Sequence, residues 1–248
     1  MYSKQHKRRT NQGRRNSRKF ITTSTVKQNK CYNATEGEID LIVDGGTPNY
    51  RYIWQGVGVN PTAEDQISLT AGQEYSVKVY DANGCSWEGS FTMDNPQELI
   101  LSLTSKDITC NNAANGTIEA QVTGEAPFTY TWENSFGTTV LAGNYPKIEN
   151  LSKDMYNVTV TDKLGCTKKA SAEVKEPDAL TAKVESKNIS CNNANDGQIK
   201  VFAEGGSGIF TYALYKVGGG TTPITTEQEF SGLSSGAYQY VISDENNC

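Results

Sequence analysis

Histidine is almost missing from this chain. His6 is the only one in 248 residues, and the six cysteines include no Cys-x-x-Cys pair. A zinc site built from Cys and His is therefore excluded as a reading. So is a histidine-based nucleophilic triad, because the one histidine lies in a basic head far from any candidate nucleophile. No apolar run approaches the roughly 18 residues that a membrane-spanning helix requires. Charged residues make up only 21% of the chain and methionines number three, whereas glycine (23) and tyrosine (13) are frequent. Short runs of Thr, Val, Ile and Tyr dominate, a composition suited to strands and turns rather than helices.

The charge is unevenly spread along the chain. Residues 1–19 carry Lys4, Lys7, Arg8, Arg9, Arg14, Arg15, Arg18 and Lys19 with no acidic partner, so the rest holds 15 basic against 28 acidic residues. The head has no apolar segment and does not read as a secretory signal. One reading is a nucleic-acid arm. The acidic remainder offers no continuation of such a surface, so a tail foreign to the rest of the chain, with no nucleic-acid partner, is the expectation.

The cysteines stand at 31, 85, 110, 166, 191 and 248, so long gaps of 54, 56 and 57 alternate with two gaps of 25. That regularity marks a repeat. "CYNATEG", "CNNAANG" and "CNNANDG" begin at Cys31, Cys110 and Cys191, and each ends in a glycine: Gly37, Gly116 and Gly197. Alternating runs follow: Ile39, Leu41, Val43; Ile118, Ala120, Val122; Ile199, Val201, Ala203. Period two means a strand with one buried face. A Gly-containing corner leads to an aromatic strand in which Trp54 and Trp132 share one position and Leu214 replaces them in the third copy. Leu69, Leu151 and Leu233 then precede a turn, and Tyr75, Tyr156 and Tyr238 open the next strand, each 10 residues before its second cysteine. A Leu, a turn and then a Tyr opening the penultimate strand resembles the tyrosine corner of immunoglobulin-like sandwiches. These nine residues form the expected core.

The expected fold is all-β: a tandem array of three small immunoglobulin-like antiparallel sandwiches of roughly six or seven strands. Residues 20–95 form the first module, 96–176 the second and 177–248 the third. The third is expected to lack its last strand, because that strand should begin at Cys248. Asn83-Gly84 in "DANGC" predicts a two-residue hairpin turn after Asp81.

The pattern resembles the SprB repeat, found in large surface adhesins of gliding bacteria. The residues carrying the resemblance are Cys31 with "GGTPNYRYIW" and "LTAGQEYSVKVYDANGC", Cys110 with "GEAPFTYTW" and "LSKDMYNVTVTDKLGC", and Cys191 with "GGSGIFTYAL" and "LSSGAYQYVISDENNC". It covers residues 31–248 and, weakly, 20–30. Departures are Leu214 for Trp, Asp154 for the turn glycine, an extra residue near Gln73 and Asn247 for the glycine before the last cysteine. The resemblance implies a cell-surface, extracellular adhesin exported by type IX secretion and acting in gliding motility. Its partners would be neighbouring repeats of a longer array and a surface or glycan ligand, and it would have no catalytic residue and no cofactor.

Chemistry-bearing patterns are few. "GLSSG" at 232–236 matches G-x-S-x-G, but Ser234 falls between two strands and not at the strand-to-helix elbow that hydrolases use. Asp81, Asp162, Asp244, Asp196 and Glu36 sit beside turns. Calcium needs six to eight oxygens, and one module assembles two or three, so turn capping is preferred for them. Trp54 and Trp132 read as core, whereas Trp87 is the freer candidate for a sugar platform. It carries the alternative of a carbohydrate-binding accessory region of a secreted enzyme.

Paired cysteines at module spacing indicate an oxidising, extracellular setting. One bond per module is the simplest count: Cys31–Cys85, Cys110–Cys166 and Cys191–Cys248. Immunoglobulin-like order places the opening turn and the last hairpin at opposite ends of a module. A disulfide spans at most about 7 Å between Cα atoms, so that order gives the alternative of Cys31–Cys166 and Cys110–Cys248. Pairing within modules is the preferred expectation, and it requires the first strand to end near the last hairpin.

Overall fold

A computed structural model describes residues 20–221, 223 and 226–248 of the chain. The basic head, residues 1–19, lies outside the described residues. Two compact units are formed: one runs to Glu98 and includes Leu164–Cys166, and the other comprises Leu99–Lys163 and Thr167–Cys248.

The first unit holds six strands: β1 (Ile21–Lys27), β2 (Gly37–Asp44), β3 (Arg51–Gln55), β4 (Gln66–Leu69), β5 (Glu74–Tyr80) and β6 (Ser86–Thr92). They form two antiparallel sheets, β1-β2-β4 and β3-β5-β6. Alternation explains the packing. Ile39 and Leu41 of β2 point inward while Asp40 and Ile42 face out, and Tyr75, Val77 and Val79 do the same on β5. Trp54 of β3 stands beside Val77 and is buried with them.

The second unit begins with seven strands: β7 (Ile100–Lys106), β8 (Gly116–Thr123), β9 (Thr129–Glu133), β10 (Thr139–Gly143), β11 (Lys147–Leu151), β12 (Asp154–Thr161) and β13 (Thr167–Val174). Their sheets, β7-β8-β11 and β10-β9-β12-β13, repeat the same plan with one added edge strand. Five more strands follow: β14 (Thr181–Lys187), β15 (Gly197–Glu204), β16 (Thr211–Lys216), β17 (Glu229–Leu233) and β18 (Tyr238–Ser243). These pair as β14-β15-β17 and β16-β18. First, second and fifth strands opposite third, sixth and seventh is the layer order of an immunoglobulin-like sandwich.

The third module has a smaller core of Val201, Leu214, Phe230 and Leu233. Its β18 pairs only with β16 among the described residues, and the exposure pattern there is correspondingly loose: Tyr238 is half-buried and Tyr240 exposed. The other eight expected core residues, Trp54, Trp132, Leu214, Tyr75, Tyr156, Leu69, Leu151 and Leu233, are all less than a tenth exposed.

One shared device escaped the sequence reading. The residue before each module's turn leucine is left-handed: Ser68 (φ 58°), Asn150 (φ 56°) and Gly232 (φ 73°). The ladders β2·β4, β8·β11 and β15·β17 all shift register there, as a bulge requires.

Candidate functional site

Each module presents two cysteine-bearing elements, an opening turn and a closing hairpin. In the opening turn the Cys carbonyl accepts the N–H of the alanine three residues on: Cys31 from Ala34 at 3.1 Å, Cys110 from Ala113 at 2.9 Å and Cys191 from Ala194 at 3.0 Å. Asn33, Asn112 and Asn193 supply the left-handed residue, a conformation Asn tolerates better than most side chains. The turn glycine has another task. A Cβ on Gly37, Gly116 or Gly197 would come within about 3 Å of the carbonyl of Leu69, Leu151 or Leu233, so glycine permits close packing against the neighbouring strand.

The residue before that glycine closes the turn. Glu36 accepts from Lys30 N–H, Asn115 from Thr109 N–H and Asp196 from Ser190 N–H. Asp196 is held below the ordinary carboxylate range, chiefly by that Ser190 amide. In the first module Asn29 adds a buried link, accepting from Glu36 N–H at 2.8 Å and donating to the Leu69 carbonyl at 3.1 Å. Ile108 and Ile189 occupy the equivalent places, so composition alone gave no signal for it.

The closing hairpin differs from the two-residue turn expected at Asn83-Gly84. Only Gly84 is left-handed, and the loop has three residues, with Asp81 N–H donating to the Cys85 carbonyl at 2.9 Å. This is a type I turn followed by a left-handed residue. Gly165 and Asn247 take the same place, which accounts for Asn247 standing where the other copies have glycine. Asp81 Oδ1 accepts from Asn83 and Cys85 N–H, and its Oδ2 from Thr47 N–H. Asp244 repeats this with Asn246, Cys248 and Ser207. Burial pushes the Asp81 carboxyl upward, but the amides of Thr47, Cys85 and Asn83 outweigh it, so its pKa lies below the usual value. The Cys248 amide leads the same downward shift at Asp244. Asp162 occupies the matching buried position. Asp81 and Asp244 cap turns, and among the described residues no three His, Cys, Asp or Glu side chains gather as a metal cluster.

The cysteine pairing corrects the one-bond-per-module expectation. Cys31 is bonded to Cys166 (Cα–Cα 5.8 Å) and Cys110 to Cys248 (5.6 Å), while Cys85 and Cys191 are exposed free thiols. Neither Cys31–Cys85, Cys110–Cys166 nor Cys191–Cys248 forms. The reason is strand length. In the first module the opening turn lies beside Ala71 and Asn95, the closing hairpin beside Thr47, and β2 runs between them. Eight residues at about 3.3 Å each make a separation of roughly 26 Å, several times what a disulfide spans. In the third module β15 separates Gly197 from the Ser207 corner that holds Asp244. The Cys110–Cys248 bond is flanked by Asn246 Nδ2 donating to the Thr109 carbonyl at 3.2 Å, Asn111 Nδ2 donating to the Pro177 carbonyl at 3.0 Å, and Asn112 N–H donating to Glu176.

The remaining candidates fall into place. Tyr75 accepts from Thr70 N–H at 2.9 Å, and the Tyr156 and Tyr238 hydroxyls donate to the Ser152 and Ser234 carbonyls at 3.0 and 2.8 Å, forming three tyrosine corners. Trp54 and Trp132 donate Nε1–H to the carbonyls of Ala63 and Tyr145, both at 2.9 Å. Trp87, the sugar-platform candidate, is half-buried: it lies on the inner face of β6, across Gly89 and against the core. Ser234 accepts from the Lys216 ammonium at 2.7 Å and sits inside its tyrosine corner.

The SprB repeat family model matches the chain three times, over residues 23–59, 102–136 and 184–219. The chain carries SprB repeats. The matched segments span the first three strands of each module, so the closing hairpins lie outside them. No curated protein matches the chain. Among solved structures it is similar to an amphioxus molecule titled IgVJ-C2, at 14% identity and TM-score 0.31, over 58% of this chain and 97% of that one. It is also similar to a structure titled for Dscam isoform specificity, at 12% identity and TM-score 0.27, over 90% and 70%. The two disulfides fit an oxidising, extracytoplasmic setting. Among the described residues no helix is long and apolar enough to cross a membrane.

Proposed function

We propose that this chain is a non-enzymatic stretch of an extracellular cell-surface adhesin, whose SprB modules serve as structural and multivalent adhesion units. The observation that carries the reading is the threefold SprB match on modules whose polar side chains are spent on turns, caps and tyrosine corners. Repetition supplies adhesion through avidity: each added module raises the effective concentration of the next contact, so weak contacts sum to firm attachment. Export by type IX secretion and a role in gliding belong to this proposal, as does a surface polysaccharide or glycan as ligand. The carbohydrate-accessory alternative loses its anchor with Trp87 turned inward.

The test is retention under flow. Microspheres coated with the chain at increasing density are run over glass, agar and bacterial polysaccharide films. Retention should rise steeply with coating density. Retention no better than that of albumin-coated spheres on every film contradicts the reading.

A further inference from the structure

The two bonded pairs share one rule: the opening-turn cysteine of a module meets the closing-hairpin cysteine of the module after it. The sequence separations are 135 and 138. Cys191 sits in the same turn as Cys31 and Cys110, with the same alanine hydrogen bond, a left-handed Asn two residues on (φ 62°), and Asp196 closing it from Ser190. Cys85 sits in the same hairpin as Cys248, its N–H held by Asp81 as Asp244 holds that of Cys248. Both free sulfurs are exposed, in elements whose copies elsewhere in the chain are already bonded.

We propose that Cys191 is the bonding site for the closing-hairpin cysteine of a following SprB module, and Cys85 for the opening-turn cysteine of a preceding one, so that staples run one module out of step along an array. The partner is a second module of this kind bearing an Asp-x-x-x-Cys hairpin. Bond formation consumes an oxidised low-molecular-weight disulfide such as glutathione disulfide. One protein thiolate attacks it and releases a glutathione thiolate. The second protein thiolate then displaces the other glutathione from the mixed disulfide. Two protein thiols and one glutathione disulfide thus become one protein disulfide and two glutathione thiols. The inference rests on the repeat-array reading but not on adhesion, and the thiol count below is indifferent to what the array binds.

The repeat permits a direct test. Appending a copy of residues 167–248 after Cys248 keeps register, because Thr167 follows Cys166 as the appended residue follows Cys248. With Cys191→Ser in the appended copy only, the chain has seven cysteines. The expected product, refolded in a glutathione buffer, has one thiol, at Cys85, and a peptide joining Cys191 to the appended closing cysteine. Three thiols with Cys110–Cys248 intact, or Cys191 joined elsewhere, overturn the proposal. If the extension does not fold, the unextended Cys85→Ser and Cys191→Ser variants are mixed in the same buffer. A mixed dimer well in excess of both homodimers supports the rule, and equal yields or no dimer overturn it.

Discussion

Cys110 is bonded to Cys248, 138 residues further along the chain, and both lie in one compact unit. The bond closes a long loop in the unfolded chain, for which the chain-entropy model gives a stabilisation of up to about 5 kcal/mol. The third module needs it most, because among the described residues its core cluster holds four buried residues against nine in the first. The double variant Cys110→Ser/Cys248→Ser should therefore lower the urea midpoint of that module far more than that of the first. Amide hydrogen exchange resolved by segment, followed in rising urea, is the measurement.

Thr22 occupies the β1 position that Leu101 holds in β7. Its hydroxyl is buried with no hydrogen-bond partner among the described residues, and an unsatisfied buried polar group costs about 1–3 kcal/mol. Thr22→Val keeps the shape and removes the hydroxyl, so it should raise the stability of the first module by about 1 kcal/mol. Chemical denaturation reads this, and a loss of stability contradicts it.

Ser68 is left-handed where the third module has Gly232. Left-handed backbone costs a non-glycine residue about 1–2 kcal/mol, so Ser68→Gly should stabilise by about 1 kcal/mol. Gly232→Ala should destabilise by a similar amount. Opposite signs from two substitutions at matching places make the pair its own control in thermal melts.

Asp81 is expected to make the first module acid-sensitive. Its pKa is lowered in the folded state, so the folded protein binds fewer protons there than the unfolded one. The contribution is then complete above the unfolded value of about 3.9 and is lost as pH falls through the lower folded pKa. Wild type should melt higher than Asp81→Asn at pH 7, and the gap should shrink below about pH 4. A gap independent of pH between 7 and 2 contradicts the capping role.

Much of the fold was legible because it rests on period and spacing. Ile39 and Leu41 alternate with polar residues, and Tyr75, Tyr156 and Tyr238 recur at a fixed distance from a cysteine. Both signals are local. The pairing of sulfurs is not local, and the same spacing suits bonds within or between modules until the length of β2 is set against the reach of a disulfide. The hairpin at Asp81 was misread because Asn-Gly permits two loop lengths, and the Asp81 carboxylate, bonded to Asn83 and Cys85 N–H, selects the longer. The bulge at Ser68 left no mark, since Ser, Asn and Gly fill that place in the three copies. Trp87 looked free because its counterpart is Lys168, yet Gly89 beside it leaves the space into which the ring folds.

The measurement that bears most directly on the staggered staples is a non-reducing peptide map of the full chain, with free thiols alkylated before digestion. The expected map contains Cys31 joined to Cys166 and Cys110 joined to Cys248, with alkyl label on Cys85 and Cys191. A peptide joining Cys31 to Cys85, or Cys110 to Cys166, contradicts the account.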